Sequence, residues 1–100
     1  MTLRHVVCWK MNGATREERE TQMDEACAAI EPLCERIPSV RALNIYRNEL
    51  HEGVNHDLIL VTDFDDADGL AEYAVHPEHQ PAIALMKRIT ASRVAVDFTV

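Results

Sequence analysis

The chain has 100 residues, of which 47% are hydrophobic and 27% charged, and these proportions are ordinary for one globular domain rather than a disordered segment. Its formal net charge of -7 would repel a phosphate backbone, and Lys and Arg form no run longer than Lys87-Arg88, so we expect neither nucleic acid nor an anionic membrane as a partner. The first apolar segment is too short for a spanning helix or a secretion signal, and we therefore expect a cytoplasmic protein.

The first half of the chain predicts a strand, an amphipathic helix and a second strand. Residues 3–11 place apolar side chains on both alternating faces, which is typical of a strand covered on both sides. Thr15 and Glu18 form a capping box, and apolar residues then recur every three or four positions, so a helix should begin there. Pro32 should bend or restart this helix because proline lacks the amide donor. A second strand is predicted over 40–47.

The second half predicts a strand, an interrupted helix and a last strand. Residues 56–64 contain an apolar run that again needs cover on both faces. The acidic stretch 65–68 supplies capping carboxylates for a helix that halts at the His-Pro pair 76–77 and resumes over 78–90. Residues 93–100 alternate between apolar and polar side chains, which predicts the last strand.

The element order predicts a ferredoxin-like α+β fold. Strands and helices follow one another as β-α-β-β-α-β without a linker or repeat, so residues 1–100 should form a single domain. Such a four-stranded antiparallel sheet carries its helices on one face only. Because the first and third strands are apolar on both faces, a second copy should cover the helix-free face, and we expect a homodimer.

The positions of several polar and aromatic side chains predict a small-molecule pocket. His5 and His56 each share a strand face with apolar residues, and Tyr73 and His79 lie close to the break in the second helix. If these elements face one another, imidazoles and a phenol meet in one apolar hollow, which is the composition of a ligand site. The strand residues that we expect to line this hollow are His5, Trp9, His56 and Leu60.

Neither a metal nor a cofactor is expected. His76 and His79 straddle a proline and lack the helical i, i+4 spacing of zinc motifs. We interpret His76 as a structural residue that closes the helix break, because the residue before a proline adopts an extended conformation. The acidic stretch 65–68 is typical of a helix cap, and no glycine-rich phosphate-binding loop occurs.

Five segments spread over the chain carry a resemblance to a known family. They are His5-Val6-Val7, Ile37-Pro38-Ser39-Val40, His56-Asp57-Leu58, the stretch 73–80 and the stretch 94–98. The most specific are the pattern Tyr-x-x-His-Pro-x-His and the terminal Val-x-Asp-Phe. The family that these segments resemble is the stress-responsive dimeric α/β-barrel (Dabb) family, in which two copies close their sheets into a barrel.

This resemblance implies roles for the pocket residues. The family includes a plant polyketide cyclase, and by similarity Tyr73 would donate a hydrogen bond to a developing oxyanion while His79 acts as the general base. His5 and His56 would line the cavity. Cys27 lies in a helix region where that cyclase has bulkier aromatic residues, and it would help to shape the pocket. The implied ligand is a hydrophobic or aromatic carbonyl compound, converted without a cofactor.

Other interpretations stay open at this point. The superfamily also contains cofactor-independent quinol-type monooxygenases, so an oxygenase that acts on a quinol-like substrate is a second hypothesis. A non-catalytic stress-response protein that carries a ligand is a third. The candidate residues also have structural interpretations. Tyr73 would be a core residue with its hydroxyl at a wet edge, and His79 a helix-start residue whose ring caps backbone groups or reaches water. His5 and His56 would be buried imidazoles bonded to each other or to the backbone.

Overall fold

The computed structural model describes residues 1–100 and shows a four-stranded antiparallel sheet with helices on one face. The elements in chain order are β1 (Leu3–Met11), α1 (Arg16–Ile30), α2 (Leu33–Arg36), β2 (Ala42–Arg47), β3 (Leu58–Phe64), α3 (Ala67–Val75), a 3-10 turn (Pro77–His79), α4 (Gln80–Ile89) and β4 (Thr90–Thr99). The strand order is β2-β3-β1-β4. The ferredoxin-like fold that the element order predicted is confirmed.

The boundaries of the first helical segment follow the local sequence signals. The hydroxyl of Thr15 accepts a hydrogen bond from the backbone N–H of Glu18 at 3.1 Å, which supplies a partner for one of the unsatisfied donors at the start of α1. At the other end α1 stops at Ile30, and Pro32 separates it from the short α2, as its missing amide donor predicts.

The break between α3 and α4 has a defined structure. His76 has extended backbone angles, because the ring of Pro77 disfavours the helical conformation in the residue before it. Its Nδ1 accepts a hydrogen bond at 3.1 Å from the backbone N–H of Glu78 and so caps the 3-10 turn that follows. The turn leads directly into α4, so His79 is held at a fixed point between the two helices.

The hydrophobic core lies between the helices and the sheet face that they cover. Along β1 and β3 every second side chain is buried, and these side chains face the helices. The largest fully buried side chains are Phe64, Leu33, Ile37, Leu58, Val7 and Thr62. No helix of the structure has the length and apolar character needed to cross a membrane.

The opposite, helix-free face of the sheet is apolar and uncovered within one chain. In the register of the sheet, Val6 on β1 lies between Val61 of β3 and Val96 of β4. Val96 is 63% exposed and Phe98, on the same strand face, is 41% exposed. An exposed apolar surface of this kind is typical of an interaction site, and it is the surface on which the homodimer prediction depended.

Three strand boundaries differ from those predicted. β2 begins at Ala42 rather than at residue 40, and β3 begins at Leu58 rather than at residue 56. The latter shift arises because Asp57 folds back onto β1: its N–H donates to the carbonyl of Trp9 at 2.7 Å, and its carboxylate accepts the N–H of Met11 at 2.8 Å. β4 begins at Thr90 rather than at residue 93, because it continues from α4 without a loop.

Candidate active site

A cavity of about 740 Å³ lies between the sheet and the helices. This volume is within the range of about 300–1,000 Å³ that small-molecule sites occupy. Apolar and aromatic side chains make up most of the wall, and the polar groups lie among them. The residues of the wall that the argument below uses are His5, Trp9, Tyr73, His79, Lys87 and Arg93.

A β-bulge at the start of β4 shapes one side of the cavity. Thr90 pairs with Met11 and Ser92 pairs with Lys10, so the residue between them has no partner on β1. A bulge of this kind lets consecutive residues of one strand face the same region. As a result the whole segment 90–93 belongs to the cavity wall.

His79 presents one free ring nitrogen. Its Nδ1 lies 3.0 Å from the carbonyl oxygen of Tyr73, and because a carbonyl only accepts, Nδ1 must carry the proton. In the neutral ring the lone pair is then on Nε2. Burial lowers the pKa of His79 below its ordinary value of 6.5, and the neighbouring His5 and the positive charge of Arg93 act in the same direction, against the hydrogen bonds to backbone carbonyls. The ring is therefore neutral near pH 7 and able to accept a proton.

Tyr73 is stacked directly on this imidazole. The two ring centroids are 3.9 Å apart and the ring planes are inclined by 26°. The side chain is buried, and this burial raises the pKa of the phenol to about 12. The phenol consequently keeps its proton at neutral pH, and Tyr73 supplies a hydrogen-bond donor beside the base His79.

A second imidazole is held in place by a carboxylate. His5 on β1 lies opposite Asp97 on β4, and its Nδ1 contacts Oδ1 of that aspartate. Since the carboxylate is the acceptor, Nδ1–H is the donor, and Nε2 is the nitrogen left for the cavity that His5 lines. Asp97 thus fixes the orientation of the His5 ring.

The family of the chain follows from comparison with known proteins. The family model of the stress responsive A/B barrel domain matches residues 3–100. The chain belongs to this family. The resemblance found in the five sequence segments is confirmed.

Solved structures agree with the A/B barrel assignment. A dimeric protein of unknown function and ferredoxin-like fold from Bacteroides fragilis is 29% identical, with a TM-score of 0.88 over 99% of this chain and 96% of that one. A dimeric ferredoxin-like protein of unknown function from Thermobifida fusca is 28% identical, with a TM-score of 0.85 over 100% and 92%. The hydroxynitrile lyase of Passiflora edulis is similar in fold alone, at 11% identity and a TM-score of 0.82 over 99% and 93%.

Five of the predicted site residues of this A/B barrel domain meet in the cavity wall. They are His5, Trp9, Leu60, Tyr73 and His79. The structure therefore brings together side chains from β1, β3, α3 and the 3-10 turn, as the hypothesis of a single pocket required. Whether they bind or convert a ligand remains a prediction.

Two other predicted residues lie outside the wall. His56 precedes β3, and its Nε2 lies 3.2 Å from the hydroxyl of Ser92, which does line the cavity. The strand alternation used to place His56 beside Leu60 does not extend to it, because the chain turns at Asp57. Cys27 packs against the core from α1, whereas Ile30 is the residue that α1 contributes to the wall. His56 thus contacts a residue of the wall without lining the cavity, and Cys27 does not line it either.

Sequence reasoning missed three charged residues of the site. From the sequence, Asp97 and Arg93 were placed only among the polar positions of the last strand, and Lys87 was noted only in the basic pair Lys87-Arg88. The register of β4 shows that this polar face is the one turned toward the helices, since Arg93 lies opposite Trp9 and Asp97 opposite His5. The alternation of residues 93–100 was the available signal, but it does not say which face meets the helices.

The lowered pKa of His79 predicts a pH-dependent stability. Below about pH 6.5 the imidazole of His79 binds a proton more readily in the unfolded chain than in the folded one. The free energy of unfolding should therefore fall as the pH falls. Thermal unfolding measured between about pH 8 and about pH 5.5 checks this. In His79→Gln the decrease over this interval should be smaller than in the unaltered chain. An identical pH dependence in the two proteins would contradict the assignment.

Proposed function

We propose that this A/B barrel domain is an enzyme that transfers protons on a hydrophobic or aromatic carbonyl compound, promoting enolisation, cyclisation or isomerisation in the manner of a polyketide cyclase. The observation that carries the proposal is the stacked pair of Tyr73 and His79 in the cavity wall. One member is a neutral imidazole with a free nitrogen, and the other is a protonated phenol. These are the two groups that enolisation needs.

The chemistry follows from the protonation states. Nε2 of His79 takes the proton from the carbon next to the carbonyl, the electron pair of the broken C–H bond forms the C=C bond of the enolate, and the π pair of the carbonyl moves to its oxygen. The hydroxyl of Tyr73 donates a hydrogen bond to that oxygen as its negative charge develops. The resulting enolate either attacks a second carbonyl of the same molecule, and the alkoxide so formed takes the proton from the imidazolium of His79, or, where it is conjugated with a C=C bond, takes that proton back at the far carbon.

The wall around this pair favours an apolar substrate. Trp9, Leu60 and Met86 enclose the space beside the two rings, and a site that excludes water strengthens each hydrogen bond to a developing charge. His5, oriented by Asp97, is available as a second proton carrier. The hydroxynitrile lyase of similar fold is an example of an enzyme with this architecture.

The proposal also includes a homodimer. The apolar helix-free face of the sheet would be covered by the same face of a second copy, and two structures at 28–29% identity are described as dimeric. The cavity lies on the opposite, helix-covered face, so pairing of the sheets leaves one cavity in each protomer.

The Tyr73→Phe variant tests the proposed role of the phenol. Phenylalanine retains the ring, and with it the packing against His79, but lacks the donor. We expect the catalysed exchange of α-protons of aryl 1,3-diketones in D₂O, followed by NMR, to fall by about 10²–10³-fold, as for loss of an oxyanion donor. Tyr46→Phe is the matched control, because it removes a phenol hydroxyl on the helix-free face, away from the cavity.

The same assay separates the proposal from a carrier function. If the unaltered protein binds such compounds but accelerates no proton exchange in any of them, a ligand-binding role replaces the enzymatic one. Full activity in Tyr73→Phe would instead remove the phenol from the mechanism.

A further inference from the structure

The charged side chains of the cavity wall are both positive. They are Lys87 and Arg93; the wall contains no aspartate or glutamate, and the nearby carboxylate of Asp97 is paired with His5. The chain as a whole, by contrast, has 17 acidic and 10 basic residues. A cleft lined by charges of one sign concentrates ligands of the opposite sign. The cavity is therefore a positively charged opening in a negatively charged protein.

Arg93 is set apart from most other arginines by its lack of a carboxylate partner. Arg4, Arg41 and Arg47 are held by aspartates at 2.6–2.8 Å. Arg93 takes part in none of the ion pairs of the chain. The acidic residue nearest to it on the same strand face is Asp97, and that carboxylate is already bound to His5. The guanidinium of Arg93 thus has its full hydrogen-bonding capacity available at the cavity.

The position of Arg93 directs it to the same space as the proposed catalytic pair. It lies opposite Trp9 in the register of the sheet, on the face turned toward the helices. Its positive charge acts on both Tyr73 and His79, lowering the pKa of each, in addition to the larger effects of burial. Because a sheet-to-sheet dimer covers the other face, Arg93 would stay accessible from the cavity in the assembly.

We propose that the ligand of this cavity carries a carboxylate, which Arg93 binds with Lys87 as a second cation, while its apolar body contacts Trp9 and the helices. A planar guanidinium can hold a carboxylate through two parallel hydrogen bonds, which fixes orientation as well as affinity. This inference rests on the proposed function and narrows it: the carbonyl compound is a hydrophobic keto acid. The anchored carboxylate would place the carbon next to the ketone beside His79.

The test compares two probes of one shape that differ in charge. Binding of 4-phenylbutanoate and of 4-phenylbutanamide is followed by the fluorescence of Trp9, which is the only tryptophan and lies in the cavity wall. At low salt we expect the unaltered protein to bind the carboxylate about three- to tenfold more tightly than the amide. The preference should shrink as salt is added, because exposed charges are screened.

Variants assign this preference to one side chain. Arg93→Gln should lose most of the preference, with only the contribution of Lys87 left, and because Arg93 holds no carboxylate of the chain, its thermal stability should be unchanged. Arg88→Gln is the matched control: it removes an arginine that is exposed like Arg93 but does not line the cavity, and it should keep the preference. Equal affinity for the two probes in the unaltered protein, or an undiminished preference in Arg93→Gln, would overturn the inference.

The outcome is independent of catalysis. A carboxylate preference that Arg93→Gln removes, in a protein that exchanges no α-protons, supports the carboxylate site and discards the enzymatic proposal. Proton exchange in neutral diketones, without any preference for the charged probe, would support the enzymatic proposal and discard the carboxylate site.

Discussion

The variant His79→Gln is expected to lose proton transfer while keeping its fold. Glutamine can still donate a hydrogen bond to the carbonyl of Tyr73, which Nδ1 of His79 contacts at 3.0 Å, but it has no nitrogen that accepts a proton at neutral pH. Loss of a positioned general base lowers rates by about 10²–10⁴-fold. The measurement is kcat/KM for α-proton exchange in the diketones that the unaltered protein accepts.

The pH profile identifies the base independently of the variant. Because burial lowers the pKa of His79, kcat/KM should stay constant as the pH is lowered through 6.5, the ordinary histidine pKa, and should decline only at more acidic pH. His51→Gln is the matched control, since His51 lies in the exposed loop between β2 and β3. An unchanged rate in His79→Gln would show that another residue, with His5 the first to examine, removes the proton.

The arrangement of elements could be predicted from local sequence signals, because those signals act over a few residues. The alternation in β1 and β3 predicted both an inner and an outer apolar face, and the register confirms it: Val7 is buried under the helices, whereas Val6 lies on the helix-free side. The cap at Thr15 and the break at Pro77 also act locally. Fold class and the uncovered apolar face therefore followed from the sequence.

The electrostatics of the site could not be predicted in this way, because they depend on pairing between distant strands. His5 and Asp97 are 92 residues apart, and only the offset between β1 and β4 places them side by side. That offset is set in part by the bulge after Thr90, for which no glycine or other local signal stands in the sequence. The face on which Arg93 lies was decided by the same register.

The variant Val96→Glu is expected to separate the dimer into folded monomers. Val96 lies on the helix-free face of the edge strand β4, beside Val6, and is 63% exposed in a single chain. Burial of an unpaired carboxylate in an apolar interface costs several kcal/mol, so the dissociation constant should rise by at least about a hundredfold. Light scattering or sedimentation at micromolar concentration measures the loss of half the mass, and circular dichroism checks that the β-sheet persists.

Val75→Glu is the control that makes this result specific, because Val75 is also exposed in a single chain but lies on a helix rather than on the helix-free face of the sheet. Val75 ends α3 and is 75% exposed, so within an isolated chain both substitutions would be equally harmless. A dimer through the sheet predicts that only Val96→Glu changes the mass, and a dimer of Val96→Glu as stable as that of the unaltered chain would contradict it.

Loss of the dimer should also affect the cavity, because the strand that carries Val96 on one face carries Arg93 and Asp97 on the other. Pairing of the sheets would thus hold in place the edge strand β4 that positions His5, and the monomeric variant should bind cavity ligands more weakly although no residue of the wall has changed.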